Sequence, residues 1–418
     1  MKKVAIIGAG AAGCFCAAEL RRIAPELAVT VFEAGSKPLA KVAITGGGRC
    51  NLTNSFEDIR SLTEAYPRGE RVMKRALKAF SQEDTIQWFT QRGVPCVLQE
   101  DHCWFPQSQD AMDIVRCLLR EMKGVELRLN TPVTCIMGYT RPSGPRYDNT
   151  IHSVIPSEAR GSQMTVNGEP FDFVVVTTGG APSGIPFLKD LDLEIIPPVP
   201  SLFTLNIQDK KLTALMGLVV DASVSLQGTN HKASGPLLIT DWGISGPATL
   251  KLSSYAARTL AENKYQGIIA INWLNKTENL VREQLLQMAK DNPQKQIVNT
   301  HLLQQRLWEF LFNKTCIRKD IRWAELGSKG LNKLVATLTC DTYRITGRGK
   351  FKDEFVTAGG VSLSNIDLST LESKAHKGLY FAGEVLDIDA ITGGFNLQAA
   401  WSTAYLCAKN IVKFYQSK

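Results

Sequence analysis

The sequence of 418 residues has no Cys-x-x-Cys pair, no internal repeat, no low-complexity tract and no apolar run of transmembrane length. Its 10 cysteines are dispersed along the chain, which excludes a dense disulfide framework and favours reduced thiols. The first apolar run is closed by Glu19 and Arg21, so it is too short to span a bilayer. From these absences we expect a cytoplasmic protein without a disulfide scaffold, and we assign no metal site.

The composition is that of an ordinary soluble protein, with 44% hydrophobic and 21% charged residues. A chain of this length predicts two or three domains with room for a substantial core. The formal net charge is +8, and the excess is spread along the chain, most densely at Arg68–Lys78 and Lys314–Lys333. Both stretches have the pattern of an amphipathic helix, so we interpret them as solvated helix faces; nucleic-acid binding is the alternative.

The most informative segment lies near the amino terminus. The apolar run Val4–Ile7 suits a buried parallel strand. Gly8 permits a tight turn, Gly10 lets a pyrophosphate approach the backbone, and Gly13 lets the following helix pack on the strand. Glu33 ends the next strand, where its carboxylate can accept hydrogen bonds from ribose hydroxyls, which favours FAD or NAD over NADP. The pattern predicts a dinucleotide site and argues against an export signal, in which the glycine spacing would serve no purpose.

Three further segments have the composition of cofactor loops. Residues 41–54 contain three consecutive glycines, with the donors Arg49, Asn51 and Thr53 in the same loop. A buried strand at 174–180 ends in a glycine pair, as at the carboxyl edge of a doubly wound sheet. At 378–398 a strand, a turn and a glycine-rich helix start follow one another, and such a helix end can stabilise negative charge on a reduced flavin.

Four blocks carry a resemblance to a known family: Thr45–Asn54 (TGGGRCNLTN), Gly243–Ala248 (GISGPA), Thr357–Val361 (TAGGV) and Gly378–Asn396. Together they resemble the two-dinucleotide-binding-domain flavoproteins, and more narrowly the NAD(P)/FAD-dependent oxidoreductases that are similar to aminoacetone oxidase. The resemblance extends over nearly the whole chain. It implies an α/β protein with a discontinuous Rossmann-like FAD-binding domain and an inserted domain that combines a β-barrel with a helical portion.

The same resemblance implies which residues bind the cofactor FAD, among them Asp387 for the ribityl chain. Carried over onto this sequence, the cofactor residues are Gly8, Gly10, Ala12, Gly13, Glu33, Ala34, Lys41, Thr45, Gly46, Arg49, Cys50, Asn51, Val133, Thr178, Gly179, Gly180, Gly383, Glu384, Asp387, Gly393, Gly394, Asn396 and Leu397.

Two residues are candidates for catalysis, Lys41 and Asp241. Lys41 could stabilise an anionic reduced flavin, or it could be a solvated surface lysine. Asp241 stands where the family usually has histidine, so an imidazole acid–base role is not carried over to this chain; Trp242 and Arg348 are further candidates for the substrate pocket. Cys50 could be a catalytic thiol or a packing residue of its loop.

We place the FAD-binding domain at residues 1–195 and 345–418, because segments that bind the cofactor lie at both ends of the chain. The inserted domain then comprises residues 196–344. Its first part alternates apolar and polar residues, which predicts short antiparallel strands. Its helical portion covers about 275–338, in which Leu280–Phe312 reads as helix.

Three more segments have a clear pattern. Trp323–Leu338 reads as a helix, and a long helix is predicted from Leu397 to Phe414. The stretch 130–175 is rich in β-type residues and is interrupted by a polar loop at 141–149.

The expected reaction is hydride transfer between flavin N5 and a small organic substrate, with NAD(P)H or O₂ as the electron partner. Because one dinucleotide fingerprint is visible, a nicotinamide would bind only transiently. There are two alternatives: a flavin-dependent enzyme that modifies tRNA or another nucleic acid, which the basic composition suggests, and a non-enzymatic FAD-binding redox sensor. Our expectation is a small-molecule substrate, with neither a membrane nor a nucleic acid as partner.

Overall fold

The structure is a computed structural model that describes residues 1–138, 164–349 and 356–417. The polar loop expected at 141–149 lies outside the described residues. In the described ranges the strands are β1 (Lys3–Ile7), β2 (Ala28–Phe32), β3 (Thr53–Asn54), β4 (Cys96–Leu98), β5 (Cys103–Pro106), β6 (Glu126–Arg128), β7 (Ile136–Met137), β8 (Met164–Val166), β9 (Glu169–Phe171), β10 (Phe173–Val176), β11 (Ile195–Ser201), β12 (Leu205–Ile207), β13 (Val219–Leu226), β14 (Lys232–Ile239), β15 (Gly243–Ser245), β16 (Gly267–Asn272), β17 (Asp341–Arg348), β18 (Val356–Val361) and β19 (Leu379–Phe381).

The described ranges also contain helices, and the candidate site lies at helices near the two ends of the sequence. The helices are α1 (Ala11–Ile23), α2 (Ala40–Gly48), α3 (Leu62–Ala65), α4 (Glu70–Ala79), α5 (Gln82–Thr90), α6 (Ala111–Glu121), α7 (Lys210–Thr213), α8 (Pro247–Tyr255), α9 (Ala257–Glu262), α10 (Glu278–Asp291), α11 (Gln305–Lys314), α12 (Gly327–Thr339) and α13 (Phe395–Gln416). No helix among the described residues has the length and apolar character needed to cross a membrane.

The chain divides into two compact units. The first unit comprises Met1–Val199 and Val356–Lys418, and the second comprises Pro200–Phe355. The first unit is therefore discontinuous in sequence, and the second is inserted into it. The domain boundaries that we predicted from the sequence, at 195/196 and 344/345, remain predictions.

A parallel sheet forms the centre of the first unit, with the strand order β19-β10-β1-β2-β6. The predicted strands Val4–Ile7 and Ala28–Phe32 are confirmed, and Val4 pairs with both Val29 and Phe173. The run Val4–Ile7 is buried throughout, as expected of a parallel strand covered on both faces. The carboxyl ends of the three strands β1, β10 and β19 consequently lie side by side at one edge.

Helices α1 and α13 pack against each other in the first unit. Phe15 of α1 contacts Trp401 of α13 at a ring-centroid distance of 5.4 Å, and Phe80 and Trp88 also pack on the Phe15 ring. The predicted carboxyl-terminal helix is confirmed, although it begins two residues earlier and ends two residues later than expected. This packing joins the two ends of the sequence into one core.

The inserted unit contains a closed antiparallel barrel with the strand order β12-β15-β14-β13-β16-β17, in which β17 pairs back to β12. Its core continues from the barrel into the helices, because Trp308, Trp323 and Leu334 belong to the same buried cluster as Val224 and Ile269. The predicted fold class, a Rossmann-like domain with an inserted barrel and helices, is thereby confirmed.

The helix predicted at Leu280–Phe312 is wrong in one respect, because the structure has two helices there, α10 and α11. The chain leaves the helical conformation after Asp291, and Pro293 follows. Proline lacks the amide hydrogen that a helix requires and disfavours helical geometry at the residue before it. The helix predicted at Trp323–Leu338 likewise consists of a short 3₁₀ turn at Trp323–Glu325 followed by α12.

A buried carboxylate connects the barrel with the helices of the inserted unit. Asp341 of β17 accepts hydrogen bonds from Trp273 Nε1 at 3.0 Å and from the Tyr343 hydroxyl at 2.6 Å. Lys314, at the end of α11, forms an ion pair with the same carboxylate. Burial raises the pKa of the Tyr343 hydroxyl, and the nearby Asp341 raises it further.

Candidate functional site

The glycines of the first turn have two different environments. A Cβ on Gly13 would lie 1.9 Å from the Gly8 carbonyl oxygen, and a Cβ on Gly8 would lie 2.7 Å from the Thr177 carbonyl oxygen. The packing of the strand, the turn and the helix therefore requires these two glycines. A Cβ on Gly10 would meet no atom of the described ranges within 4 Å, so these parts of the fold leave the position open.

Helix α1 begins at this open position. Gly10 is its N-cap residue, in an extended conformation, and no side chain of the described residues caps the helix. The first intrahelical hydrogen bond runs from the Cys14 N–H to the Gly10 carbonyl, at 3.0 Å. The amide groups of the first turn and the positive end of the helix dipole thus face open space, which is the arrangement that binds phosphate.

Glu33 stands next to this turn, at the end of β2. Its Oε2 accepts a hydrogen bond from the Ala9 N–H at 2.8 Å, and its Oε1 accepts one from the Gly35 N–H at 2.7 Å. Each carboxylate oxygen has further acceptor capacity for a ligand hydroxyl. Glu33 is partly exposed and Ala34 is exposed, so both are accessible.

The segment that carries Val133 passes along the same strand end. The Thr131 N–H donates to the Glu33 carbonyl at 2.8 Å, and the Asn130 N–H donates to the Gly35 carbonyl at 3.0 Å. Val133, which is half-buried, follows two residues later. The structure thus brings this predicted residue close to Glu33 and Ala34.

Two other strand ends meet the amino terminus of α1. The Thr177 hydroxyl donates to the Gly8 carbonyl at 2.9 Å, which holds the turn Thr178–Gly180 beside the first loop. The Ala382 N–H donates to the Val176 carbonyl at 3.1 Å, and a Cβ on Gly383 would lie 2.9 Å from the Ala12 Cβ. Cofactor residues predicted near positions 10, 180 and 383 therefore converge at one edge of the sheet.

Glu384 binds the backbone of two other segments. Its Oε1 accepts a hydrogen bond from the Thr357 N–H at 2.7 Å, and the Gly180 N–H also bonds to its carboxylate. Burial raises the pKa of Glu384, while the positive charge of Lys41 and these two hydrogen bonds act in the opposite direction. Lys41 itself is exposed and lies close enough to Glu384 to act on it.

The glycine-rich loop at 45–54 leaves the helical conformation at Thr45, and Gly46 and Gly47 have φ values of 58° and 68°. The Thr45 hydroxyl donates to the Val42 carbonyl at 2.8 Å, which ends the helical turn. Cys50 is fully buried, and burial raises the pKa of its thiol to about 12. A thiol with this pKa is protonated near neutral pH, which favours packing over catalysis for Cys50.

Arg49 lies on the exposed side of the same loop. Its guanidinium stacks over the Phe105 ring, 4.6 Å from the ring centroid, and its Nε donates to the Gly46 carbonyl at 3.2 Å. The cation–π contact and the hydrogen bond fix the side chain near the glycines.

The loop is attached to the start of α13. With its amide oriented to satisfy both neighbours, Asn51 donates to the Thr53 carbonyl at 3.1 Å and accepts from the Gly394 N–H at 3.2 Å. Asn54 Nδ2 donates to the Gly393 carbonyl at 3.0 Å. The two asparagines therefore place the loop against the glycine pair at the amino terminus of the last helix.

Gln398 extends this attachment into the core. Its Oε1 accepts hydrogen bonds from the Thr53 hydroxyl at 2.6 Å and the Thr85 hydroxyl at 2.9 Å, and its Nε2 donates to the Ser402 hydroxyl at 2.8 Å. Gln398 was not predicted from the sequence. A polar residue within a largely apolar helix was the signal that could have indicated it.

Helix α13, like α1, begins at a glycine. Gly394 is its N-cap, and within the part of the chain that the structure describes no side chain caps the helix. Leu397, in the first turn, is half-buried. The amide of Asn396 is occupied by the backbone of the preceding loop, since it accepts from the Ala390 N–H at 2.9 Å and donates to the Ala390 carbonyl at 3.0 Å. In this arrangement Asn396 shapes the loop that carries Asp387.

A second missed residue supports that loop. Arg68 forms a bidentate ion pair with Asp389, which is completely buried. The side chain of Ile388 fills the space beside Gly69, and the Tyr66 hydroxyl donates to the Phe395 carbonyl at 3.0 Å. The segment between α3 and α4 is consequently a brace for the loop at 387–391.

Asp241, the other predicted catalytic residue, lies in the inserted unit, in the turn between β14 and β15. The turn is closed by the Thr240 N–H, which donates to the Gly243 carbonyl at 2.9 Å, and Asp241 is exposed. Within the described parts of the chain the buried Thr240 hydroxyl has no hydrogen-bond partner, and neither has the buried Oδ1 of Asn206. Asn206 pairs with Gly243 in the barrel, so these polar atoms belong to one end of it.

A family model described as "HI0933-like protein Rossmann domain" matches residues 2–410. Three curated relatives have comparable lengths. The chain is 30% identical over 416 residues to a ribosomal RNA dihydrouridine synthase of Haemophilus influenzae, covering 97% of each chain. It is 28% identical to a ribosomal RNA dihydrouridine synthase of Escherichia coli, with 97% of each chain covered, and 26% identical to a 3-dehydro-bile acid delta(4,6)-reductase of Clostridium scindens, with 98% of each covered.

Proposed function

Because the chain belongs to the HI0933-like family and is an FAD-dependent oxidoreductase, we propose that it reduces a carbon–carbon double bond conjugated with a carbonyl group, and that its substrate is uridine in ribosomal RNA. The match to the family model confirms the resemblance to FAD-dependent oxidoreductases that the sequence indicated. The substrate and the electron donor are the parts that we propose.

The names of the relatives share one chemistry, and this observation carries the proposal. Dihydrouridine is uridine with the C5–C6 double bond reduced, and that bond is conjugated with the C4 carbonyl. A delta(4,6)-reductase of a 3-dehydro-bile acid acts on double bonds in a compound that has a keto group at C3. In both substrates the carbonyl withdraws electrons, so that a hydride can add to the far carbon of the double bond and a proton to the near one.

Two observations favour ribosomal RNA over a small enone. Two relatives that cover 97% of the chain are named for this substrate, and one of them is 30% identical. The net charge of +8 favours an anionic substrate. This proposal therefore ranks the nucleic-acid alternative above the small organic substrate expected from the sequence. A small enone is the second candidate, which the bile acid reductase supports.

The residues of the first unit fit an adenine dinucleotide of the flavin type. Any side chain at position 10 would occupy this open space. The packing of the described residues does not itself require a glycine there. Helices α1 and α13 both begin at a glycine without a side-chain cap, so that two positive helix ends are available. Glu33 is held beside the first of them by Ala9 and Gly35.

When bound, FAD supplies hydride transfer at N5. In the arrangement that we propose, the first turn of α1 binds the pyrophosphate and Glu33 accepts hydrogen bonds from the adenosine ribose. The start of α13 stabilises negative charge on the isoalloxazine ring, and Lys41 adds to that field. Glu384 holds the backbone of Gly180 and Thr357 in place rather than contacting the ligand through its bonded oxygen.

The proton that completes the reduction must come from a group near the double bond. Asp241 is the predicted candidate of the inserted unit. The Thr240 hydroxyl and Oδ1 of Asn206 are buried polar atoms without a partner among the described residues, and we propose them for recognition of the substrate. An amide oxygen accepts from an N–H such as that of uracil N3, and a hydroxyl donates to a carbonyl oxygen. These roles are part of the proposal.

The test uses the purified protein with FAD, NADH or NADPH, and ribosomal RNA from a bacterial strain that lacks its own ribosomal RNA dihydrouridine synthase. Digested RNA is analysed by nucleoside mass spectrometry for a uridine that has gained two hydrogens. We expect dihydrouridine to form with one of the two nicotinamides. Formation of the product only from a small 3-keto enone, with none in RNA, would reverse the order of the two candidates.

A parallel measurement identifies the electron donor. The absorbance of the bound flavin is followed anaerobically after mixing with NADH and, separately, with NADPH. Rapid bleaching by one of them identifies the donor of a reductase. If neither bleaches the flavin while an organic substrate does, the protein is an oxidase or a dehydrogenase and the proposed direction of the reaction is wrong.

A further inference from the structure

The positive charge of the chain is located in the inserted unit. Residues 200–355 contain 21 lysines and arginines against 13 aspartates and glutamates, a net charge of +8, whereas the rest of the chain has 27 of each. The expectation that the excess is spread along the chain is therefore wrong. The basic stretch Arg68–Lys78 lies in a unit whose charges cancel, and Lys314–Lys333 lies in the unit that carries the whole excess.

Two connections in the helical part of the inserted unit run beside each other. Gln296 pairs with Arg322 in an antiparallel bridge, and the Trp323 N–H donates to the Lys295 carbonyl at 3.1 Å. A Cβ on Gly330 of α12 would lie 3.7 Å from Ile317, which places the start of α12 next to the second connection. Basic residues from three segments are brought together in this way.

We call these residues the cationic surface and define it as Lys295, Arg318, Lys319, Arg322, Lys329 and Lys333. All six are exposed. Lys329 and Lys333 are four residues apart on α12 and so lie on one face of the helix. Lys314 does not belong to the surface, because its ammonium is paired with Asp341.

Little negative charge opposes this surface. The two acidic residues of the same segments, Asp320 and Glu325, both pair with Arg318. In the part of the chain that the structure describes, no ion pair is formed by Lys295, Lys319, Lys329 or Lys333. Arg322 donates to the Gln294 side-chain oxygen at 2.9 Å, a neutral acceptor that leaves its charge in place.

We propose that the cationic surface binds the phosphate backbone of the RNA substrate. The proposal deepens the proposed function and rests on it, because ribosomal RNA is the polyanion that the reaction would require. The four exposed lysines that form no ion pair among the described residues, together with Arg322, can replace about five condensed counterions on the RNA, which is the main source of affinity independent of sequence. Lysines act as point charges on flexible stems, so they suit the backbone rather than the edges of bases.

The surface binds RNA while the first unit holds the cofactor, which divides the two tasks between the two units. Electrostatic attraction of this kind weakens with salt by a slope of about −0.7 to −0.9 for each phosphate neutralised. The salt dependence of binding therefore counts the contacts and can be assigned to residues by substitution.

The experiment compares two triple variants of the full-length protein loaded with FAD. In the surface variant Lys319, Lys329 and Lys333 are replaced by glutamine, and in the control variant Arg71, Lys74 and Lys78 of α4 are replaced by glutamine. The six substituted residues are exposed, and each variant loses three positive charges. Binding of purified ribosomal RNA is measured by filter retention over a range of KCl concentrations.

We expect the surface variant to reduce the salt slope by about 2 to 3, which near about 0.15 M salt corresponds to a loss of affinity on the order of 100-fold. The control variant should retain the slope of the wild type. Flavin content and anaerobic bleaching by the nicotinamide donor should be unchanged in both variants, which reports that they are folded. The single variant Lys319→Glu, in a connection outside the helices, should lower affinity in the same direction if the triple variant does not fold.

Two other outcomes are distinct from each other. If the wild type binds RNA and forms dihydrouridine, and the surface variant does the same with an unchanged slope, the cationic surface is not the RNA site although the proposed function stands. If the wild type neither binds ribosomal RNA nor forms dihydrouridine, the proposed function fails, and the assignment of the surface fails with it.

Discussion

Gly10 is the residue at which the fold and the proposed ligand make different demands. Its φ of −84° is available to any residue, and a Cβ there would meet no atom of the described residues within 4 Å. Gly8 and Gly13, by contrast, are required by the packing of the turn. Glycine at position 10 therefore has its explanation in something that approaches the backbone from outside.

Gly10→Val should accordingly leave the folded protein intact and weaken FAD binding by on the order of 100-fold, because the side chain occupies the place of the pyrophosphate. The variant is checked by flavin content after dialysis and by circular dichroism of the FAD-free protein. Gly13→Val is the contrasting variant, which should fail to fold. Normal FAD retention in Gly10→Val would show that the cofactor does not approach the turn.

Thr240 offers a test of the polar atoms in the inserted unit. Because its buried hydroxyl has no partner among the described residues, Thr240→Val should raise the free energy of unfolding by about 1 kcal/mol. If the hydroxyl binds the substrate, kcat/KM should fall about tenfold at the same time. Thr249 is the matched control, since its buried hydroxyl donates to the Ser245 carbonyl at 2.9 Å. Thr249→Val should lower stability and leave kcat/KM unchanged; equal behaviour of the two variants would exclude a special role for Thr240.

Glu384 makes stability depend on pH, because its folded-state pKa is raised above the ordinary value of 4.5 by burial. Its contribution to stability is complete below pH 4.5 and is lost as the pH rises through the raised pKa. A glutamine side chain at this position would stay neutral throughout, so Glu384→Gln should gain stability relative to the wild type as the pH increases above 4.5. Urea unfolding of both FAD-free proteins at several pH values measures the difference, and a constant difference would contradict the expectation.

At the scale of elements, the segment between α3 and α4 supports the loop at 387–391 through one buried ion pair. Arg68 and Asp389 are 321 residues apart in the sequence, and Asp389 is fully buried. Such a pair adds little compared with a well-packed apolar pair, but removal of one partner leaves a buried charge without compensation.

Arg68→Met should therefore reduce the free energy of unfolding by about 3 to 5 kcal/mol, and the double variant Arg68→Met/Asp389→Leu should recover most of this loss. Chemical denaturation of the wild type, both single variants and the double variant completes the cycle. Strictly additive effects would mean that the two side chains do not interact. FAD binding should weaken in Arg68→Met, because the loop carries Asp387.

The sequence predicted those elements whose signal is local. The strands Val4–Ile7 and Ala28–Phe32 have buried apolar runs and a glycine turn between them, and the structure has them at the expected residues. The brace formed by Arg68 and Asp389 could not be predicted, because nothing local to either residue indicates a partner so distant in the chain. The break between α10 and α11 has a local signal in Pro293, which the apolar pattern on both sides concealed.

For the whole molecule, two separate cores predict two thermal transitions. The buried cluster of the inserted unit runs from Phe203 to Ile345 and includes no residue of the first unit. FAD at about 100 times its dissociation constant adds about 2.7 kcal/mol to the unit that binds it. Differential scanning calorimetry with and without FAD should therefore move one transition upward and leave the other unchanged. A single transition that moves as a whole would show that the units unfold together.

The distribution of charge could be recognised only at this scale. A count along the sequence finds a moderate excess with two dense stretches, and the sequence pattern predicts a helix face for both of them. The boundaries of the two units are needed to see that one stretch is balanced by its surroundings and the other is not. The candidate site could likewise be recognised only in the folded structure, because its loops come from residues near 10, 50, 180 and 390.

The strand order of the first unit has a consequence for biosynthesis. Strand β10 separates β1 from β19, and β19 and helix α13 follow the inserted unit in the chain, so they leave the ribosome after it. The barrel of the inserted unit can fold as soon as residue 348 has emerged, whereas the apolar strands made first must wait for the carboxyl-terminal segment before their sheet is covered. During translation we therefore expect the barrel to be complete while the cofactor domain still lacks β19 and α13, so that domain is the part of the nascent chain with exposed apolar strands.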